Sequence, residues 1–246
     1  MKFLSDFHNS DDFDRCINSS FLTLIPKCSN HSNLNEYRLI SLVGCVYKIL
    51  SKVLANRLRL VVDEVVGANQ FAIVRGRQIL DCSLVANEVI DGIRRSGSSG
   101  LLLKVDFGKA YDSVDWFFLD FVLEKMGFEK KWRKWIQACV LTVSLSVLVN
   151  GAPTRQFSIK RGLRQGCPLS LLLFNLVVEA LSVVMHKSVS LDLFKRLSVE
   201  NYDLMISHLQ YADDTLIFCE PVLEQLLNVK RVLRCFQVKF KLKINF

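Results

Sequence analysis

Glycine and proline are scarce in this chain, 11 and 4 among 246 residues, which excludes collagen-like and low-complexity classes. No segment repeats along it, so solenoid and propeller arrays are excluded too. The eight cysteines (Cys16, Cys28, Cys45, Cys82, Cys139, Cys167, Cys219 and Cys235) form no C-x-x-C pair, and no histidine lies at zinc-finger spacing. A structural zinc is therefore not expected, and the thiols read as reduced side chains of an intracellular protein, nuclear or cytoplasmic. Long apolar runs are missing as well: Ala138 to Val149 is too short to cross a bilayer. The N-terminus, Met1-Lys2-Phe3-Leu4-Ser5-Asp6, acquires an acid too early for a secretory signal. Neither a signal peptide nor a transmembrane segment is expected. Acidic residues are outnumbered, 24 against 32 Lys plus Arg, which leaves a formal charge of +8. That excess favours a polyanionic partner, and without a membrane span it points to nucleic acid.

What the chain does contain is half hydrophobic, enough for a sizeable core in one large domain or two lobes. Its most informative stretch is His208 to Phe218, HLQYADDTLIF, which sets Asp213 and Asp214 between apolar, strand-like segments. Adjacent aspartates repel, so an apolar setting neutralises one of them unless a cation lies between; a solvated Asp-Asp turn is the alternative. A second acid, Asp106, ends the short apolar run Leu101 to Phe107, which follows the Gly/Ser-rich loop 96–100 and suits a buried strand. Such an acid is costly unless it ligates a metal, pairs with Lys104 or Lys109, or caps the next helix. Two strand-end carboxylate sites suit a pair of ions about 3.5–4 Å apart, as used in nucleotidyl transfer. Mg²⁺, which takes few protein carboxylates, fits best, with Mn²⁺ its substitute.

Nine ordered blocks surround these acids: FLTLIPK (21–27), YRLISL (37–42), YKILSKVLANRL (47–58), NQFAIVRGRQILD (69–81), LKVDFGKAYDSVDW (103–116), SVLVNGAP (146–153), RGLRQGCPLS (161–170), SHLQYADDTLIF (207–218) and LKINF (242–246). In wording and order the series resembles the reverse transcriptase domain of non-LTR, LINE-type retrotransposons, especially those of plants, over nearly the whole chain. The resemblance implies an α+β right-hand polymerase fold: an antiparallel palm sheet backed by helices, a fingers lobe, and no thumb within this sequence. It implies an RNA-directed DNA polymerase that adds dNTPs to a DNA primer on an RNA template. Asp106 and Asp213 then correspond to the metal ligands, and Asp214 to a supporting acid. Tyr111 matches the aromatic gate that leaves no room for a ribose 2′-OH, though alone it reads as a half-buried aromatic. Gln165 and Gly166 match the nucleotide-binding block, where glycine lets backbone approach substrate. Lys27 and Arg38 correspond to the basic residues that hold the triphosphate, although each alone reads as a solvated charge. Lys243 lies near the family's candidate general acid for pyrophosphate.

The expected organisation is a flanking segment at 1–20 with a loosely packed helix, a fingers-like lobe at 21–100, and a palm at 101–246. Helices are predicted at about 47–66, 115–126, 131–140, 169–185 and 223–236, with a loop at 94–100 and strands at 101–107, 144–149 and 156–159. Asn150-Gly151 signals a hairpin. Lys130-Lys131-Trp132-Arg133-Lys134-Trp135 reads either as a base-stacking surface or as tryptophans anchoring a helix whose lysines face water. Several motif positions depart from the usual wording: Leu39 and Leu171 stand at proline positions, Arg196 and Lys241 at glycine positions, Phe71 at a small residue, Cys167 at Asp, and Gly108 at a polar residue. None removes a carboxylate. They favour a second reading, a catalytically inactive, nucleic-acid-binding relic of the same kind of element.

Overall fold

The computed structural model describes residues 2–30, 32–199 and 204–245. In chain order the elements are α1 (Lys2–Ser10), β1 (Ser19–Pro26), β2 (Tyr37–Val43), α2 (Cys45–Leu58), α3 (Val62–Val65), α4 (Ile79–Ser96), β3 (Leu101–Phe107) and α5 (Ala110–Ser113). They continue with α6 (Trp116–Lys125), α7 (Lys130–Leu141), β4 (Ser144–Val149), β5 (Ala152–Pro153), β6 (Phe157–Ser158) and α8 (Pro168–Ser190). The last are β7 (Leu197–Val199), β8 (Leu204–Ile206), β9 (His208–Tyr211), β10 (Asp214–Cys219), α9 (Leu223–Phe240) and β11 (Ile244–Asn245). The mixture is α+β, as expected.

Contacts divide the chain into two compact units, each discontinuous in sequence: residues 1–58 with 114–173, and residues 59–113 with 174–246. The division falls inside α8. In the first unit the sheet order is β2-β1-β4-β5, with β6 also on β4; β1 pairs antiparallel with β2 and parallel with β4. In the second unit an entirely antiparallel sheet runs β11-β3-β10-β9, with β7-β8 a separate ladder.

Local sequence explains most boundaries. Asp115 caps α6 by accepting the Phe118 N–H at 3.0 Å, and Gly127, at φ 83°, ends the turn beyond it. Asn150 and Gly151 both have positive φ, 49° and 81°, the requirement of the tight turn joining β4 to β5. Pro168 opens α8, where its missing N–H costs nothing. Helical spacing predicts an apolar stripe at Leu172, Leu176, Ala180 and Val184; the first two are buried and the last two half-buried, while Leu173, Phe174, Val177 and Val178, off that stripe, are buried as well. The helix is thus enclosed nearly all round. Ala138–Val149 divides between α7 and β4. By length and composition α8 could cross a membrane, but 72% of the most apolar window of α8 is buried in the protein. Core packing accounts for that apolarity.

Four expectations are corrected. The helix predicted over 47–66 stops at Leu58 and resumes only as α3. Its buried stripe is Tyr47, Leu50, Leu54, Ala55 and Leu58, whereas Val46, Ile49 and Val53 face outward. The loop at 94–100 shrinks to 97–100, because α4 continues through Ser96 before Gly97 (φ 67°) closes it. That helix was not foreseen: exposed Ile79, Leu80 and Leu84 blur its pattern, while Cys82, Ala86 and Val89 are buried. The N-terminal segment is anchored rather than loosely packed. Phe7 is buried 5.7 Å from the Trp135 ring, Asp11 accepts the Trp135 indole N–H at 2.8 Å, and Asn18 donates to the Cys139 carbonyl at 3.0 Å. Trp135 is therefore a core anchor, with Lys130, Lys131 and Lys134 exposed, and the packing reading of this motif holds.

Candidate active site

The second unit's sheet gathers the acidic residues. Because β3 and β10 pair in antiparallel register, Asp214 falls directly opposite Asp106, and opposed residues present their side chains on the same face. β9 and β10 close on each other at Tyr211 and Asp214, leaving Ala212 and Asp213 as a two-residue turn. Ala212 has φ 53°, the left-handed conformation that glycine normally supplies at the first central position of such a hairpin. On the other edge, Asn245 of β11 stands opposite Asp106 and reaches its Oδ2 at 3.4 Å.

Electrostatics distinguish the three acids. Asp213 is half-buried. Burial raises its pKa, and the charges of Asp214 and Asp106 add to the rise against the opposing pull of its own backbone N–H and Lys104. Asp214 forms an ion pair with Lys104 at 3.1 Å, both side chains more than half exposed; screening makes such a pair weak. Lys104 thus pairs with Asp214 rather than with Asp106. The Tyr111 ring stacks on Phe174, centroids 4.6 Å apart. Burial, helped by the Asp213 charge, lifts its phenol to about 12. Lys243 is exposed, and its carbonyl accepts the Gly108 N–H at 2.8 Å. A Cβ at Gly108 would lie 3.0 Å from Oδ1 of exposed Asn245, a tight contact that a small shift of that side chain relieves.

Among the described residues, no three His, Cys, Asp or Glu side chains are close enough to hold an ion by themselves. The donor chemistry nevertheless fits a hard divalent cation. Three carboxylates lie at one sheet end, the charged form of one of them is disfavoured by burial and then by the others' charge, and Mg²⁺ completes its shell with substrate oxygens and water.

The remaining candidates belong to the first unit. Arg38 of β2 is opposite Ile25 of β1. Lys27 continues that ladder, its N–H donating to the Glu36 carbonyl at 2.8 Å; strand alternation places Lys27 and Arg38 on one face. Both are exposed, and Lys27 Nζ donates to the Asn35 carbonyl at 2.9 Å. The Gln165 carbonyl accepts the Ser41 N–H at 2.9 Å, which ties the Gln165-Gly166 loop to the strand carrying Arg38. Gly166 has φ 98°, and a Cβ would stand 3.1 Å from the Ser41 carbonyl oxygen, so only glycine fits. Buried Arg164 secures the loop from below, donating to Asn18 O at 3.2 Å and Ser20 Oγ at 3.1 Å and lying over the Tyr47 ring.

Residues in the NQFAIVRGRQILD block also meet the acidic hairpin, although the sequence suggested no role for them. Asn69 Nδ2 donates to the His208 carbonyl at 2.6 Å, and Gln70 Oε1 accepts the Ala212 N–H at 3.1 Å. Only the block's sequence company marked them in advance.

Residues 25–246 match the family described as reverse transcriptase (RNA-dependent DNA polymerase). The chain is 29% identical over 217 residues to the Transposon TX1 uncharacterized 149 kDa protein of Xenopus laevis, a match covering 88% of this chain and 16% of that protein. It is 28% identical over 160 residues to the Retrovirus-related Pol polyprotein from type-1 retrotransposable element R2 of Popillia japonica, covering 65% of this chain and 22% of the relative. The chain therefore spans under a quarter of either relative. Among solved structures, telomerase from Candida albicans in complex with the TWJ fragment of telomeric RNA superposes with a TM-score of 0.66 at 13% identity, covering 99% of this chain and 44% of that one. The shared fold is the right-hand polymerase fold.

Proposed function

The chain belongs to the reverse transcriptase (RNA-dependent DNA polymerase) family, and from that premise we propose that it carries the nucleotidyl-transfer core of a LINE-type retroelement. A single observation carries the reading: Asp106 and Asp214 oppose each other at a sheet end, next to a turn whose Asp213 is raised in pKa by burial and by their charges. An arrangement that costs free energy when empty is one a cation stabilises.

Asp106 and Asp213 would hold Mg²⁺ or Mn²⁺, with Asp214 supporting them. Ions bound there would supply Lewis acidity for the primer 3′-OH and charge neutralisation for the departing pyrophosphate. The new bond joins the primer 3′ oxygen to the α-phosphorus of a dNTP; the α–β bridging bond breaks, and the hydroxyl proton is released. Lys27 and Arg38 are assigned to triphosphate charge, which grows in the transition state. Gln165 and Gly166 are assigned to the incoming nucleotide. The Tyr111 ring, held flat on Phe174, excludes a 2′-OH, and Lys243 is the candidate proton donor to pyrophosphate. An RNA template and DNA primer suit the net charge of +8. On this reading residues 21–100 act as fingers and 101–246 as palm.

Primer extension on an RNA template with dNTPs and Mg²⁺ or Mn²⁺ tests the proposal. Asp213→Asn is expected to lower extension by on the order of 10³-fold or more while leaving salt-sensitive RNA binding intact. Wild-type rates in that variant would remove Asp213 from the chemistry.

A further inference from the structure

The NQFAIVRGRQILD block carries no role in the reaction described above, yet it touches the acidic hairpin at several consecutive points. Asn69 C=O accepts the Gln210 N–H at 2.7 Å, and Phe71 N–H donates to Gln210 C=O at 2.8 Å. Gln70 and Gln210 thereby form a parallel bridge on the free edge of β9. Asn69 Nδ2 adds a bond to His208 C=O at 2.6 Å. Gln70 itself is fully buried, and its side-chain oxygen accepts two backbone N–H groups, Ala72 at 3.0 Å and Ala212 at 3.1 Å. Arg77 braces the same segment by donating to the carbonyls of Gly67 and Gln70, each at 2.6 Å.

Ala212 is the residue that most needs such a hold. It immediately precedes Asp213, and its φ of 53° is one that an alanine adopts only at a cost in a two-residue hairpin. No backbone partner in the β9–β10 ladder takes its N–H, because the ladder ends at the Tyr211–Asp214 pair. We propose that Gln70 is a positioning residue for Asp213: its buried amide oxygen fixes the Ala212 N–H and so holds the turn in the conformation that presents the carboxylate. The proposal rests on the polymerase reading for its consequence but not for its contacts. A loose turn would misplace a ligand by a fraction of an ångström, and catalysis is sensitive to errors of that size.

The test uses the full chain carrying Gln70→Met, which keeps the volume of the side chain and removes the acceptor, and a second variant that adds Ala212→Gly. Amide hydrogen exchange is followed at Ala212, with β10 and α9 as internal references, and primer extension is measured on the same samples. Gln70→Met is expected to speed Ala212 exchange at least tenfold with the references unchanged, and to lower kcat about tenfold at nearly constant KM for dNTP. Ala212→Gly, which relieves the left-handed residue, is expected to restore most of kcat without restoring protection. Unchanged Ala212 exchange in Gln70→Met overturns the proposal, as does unchanged kcat in an active enzyme. Should Gln70→Met unfold, Gln70→Glu, which keeps both acceptor bonds, must retain Ala212 protection or the proposal fails. A wild-type chain with no extension sinks the polymerase reading, while exchange at Ala212 still decides whether Gln70 holds the turn.

Discussion

The two sheets treat their charged residues differently. In β11-β3-β10-β9 the acids are fixed by backbone register: Asp106 has Asp214 on one side and Asn245 on the other, and the turn bearing Asp213 is tied to buried Gln70. In β2-β1-β4-β5 the basic residues Lys27 and Arg38 occupy the exposed end of a hairpin, and what is fixed instead is a loop that only glycine permits. The contrast follows from the tasks proposed for each. A hard cation needs ligands held within narrow limits, whereas long cationic side chains reach a polyphosphate from many rotamers.

The largest effect expected from perturbing this contrast is in the buried support of the acidic sheet. Burial lifts Glu179 of α8 to about 7, despite hydrogen bonds from Gly67 and Ser182 and the charge of Arg77. The folded state thus binds a proton that the unfolded chain releases near its ordinary value of 4.5. The contribution is fully present below that value and is lost as pH rises through about 7. Denaturant titrations should show stability falling by about 3 kcal/mol across that window, and Glu179→Gln should flatten the dependence.

A smaller loss is expected in the other unit. Gly166→Ala forces a side chain into φ 98° against the Ser41 carbonyl, a strain of about 1–3 kcal/mol. Extension kinetics should show KM for dNTP raised several-fold with kcat less affected; an unchanged KM would detach this loop from the nucleotide. Smallest is Lys241→Gly. Lys241 ends α9 at φ 59°, so glycine should raise stability by roughly 1 kcal/mol, seen as a higher Tm. The same substitution would separate ordinary drift at a cap from damage to the site, since extension should not change.

The pairing that sets Asp214 opposite Asp106 was not legible, and β3 is not the buried strand expected, because Leu102, Lys104 and Asp106 are exposed. The strands themselves were legible, because a short apolar run before Asp106 and two apolar arms around Asp213-Asp214 are local signals. The Asn150-Gly151 turn and the boundaries of β3 and β4 were legible for the same reason. What stayed hidden depends on distant partners. Nothing near Gln70 in sequence says that its oxygen meets Ala212, 142 residues on, and no periodicity reveals that Phe7 settles against Trp135. The α4 helix was missed because its exposed leucines imitate core positions. Lys241 occupies a conformation that glycine favours, whereas Gly108 has no positive φ and a Cβ there would meet only the exposed Asn245 side chain. A departure from family wording is informative only once its backbone is known.

Nucleotidyl transfer by this chain requires Asp106, Asp213 and Asp214 to act together as a cation site. Mn²⁺ binding, followed by electron paramagnetic resonance with dNTP present, measures this without requiring turnover. Saturable binding that is lost in both Asp106→Asn and Asp213→Asn, and weakened in Asp214→Asn, is the predicted result. Binding that survives the Asp106→Asn/Asp213→Asn double substitution in a folded protein would show that these carboxylates do not hold the ion.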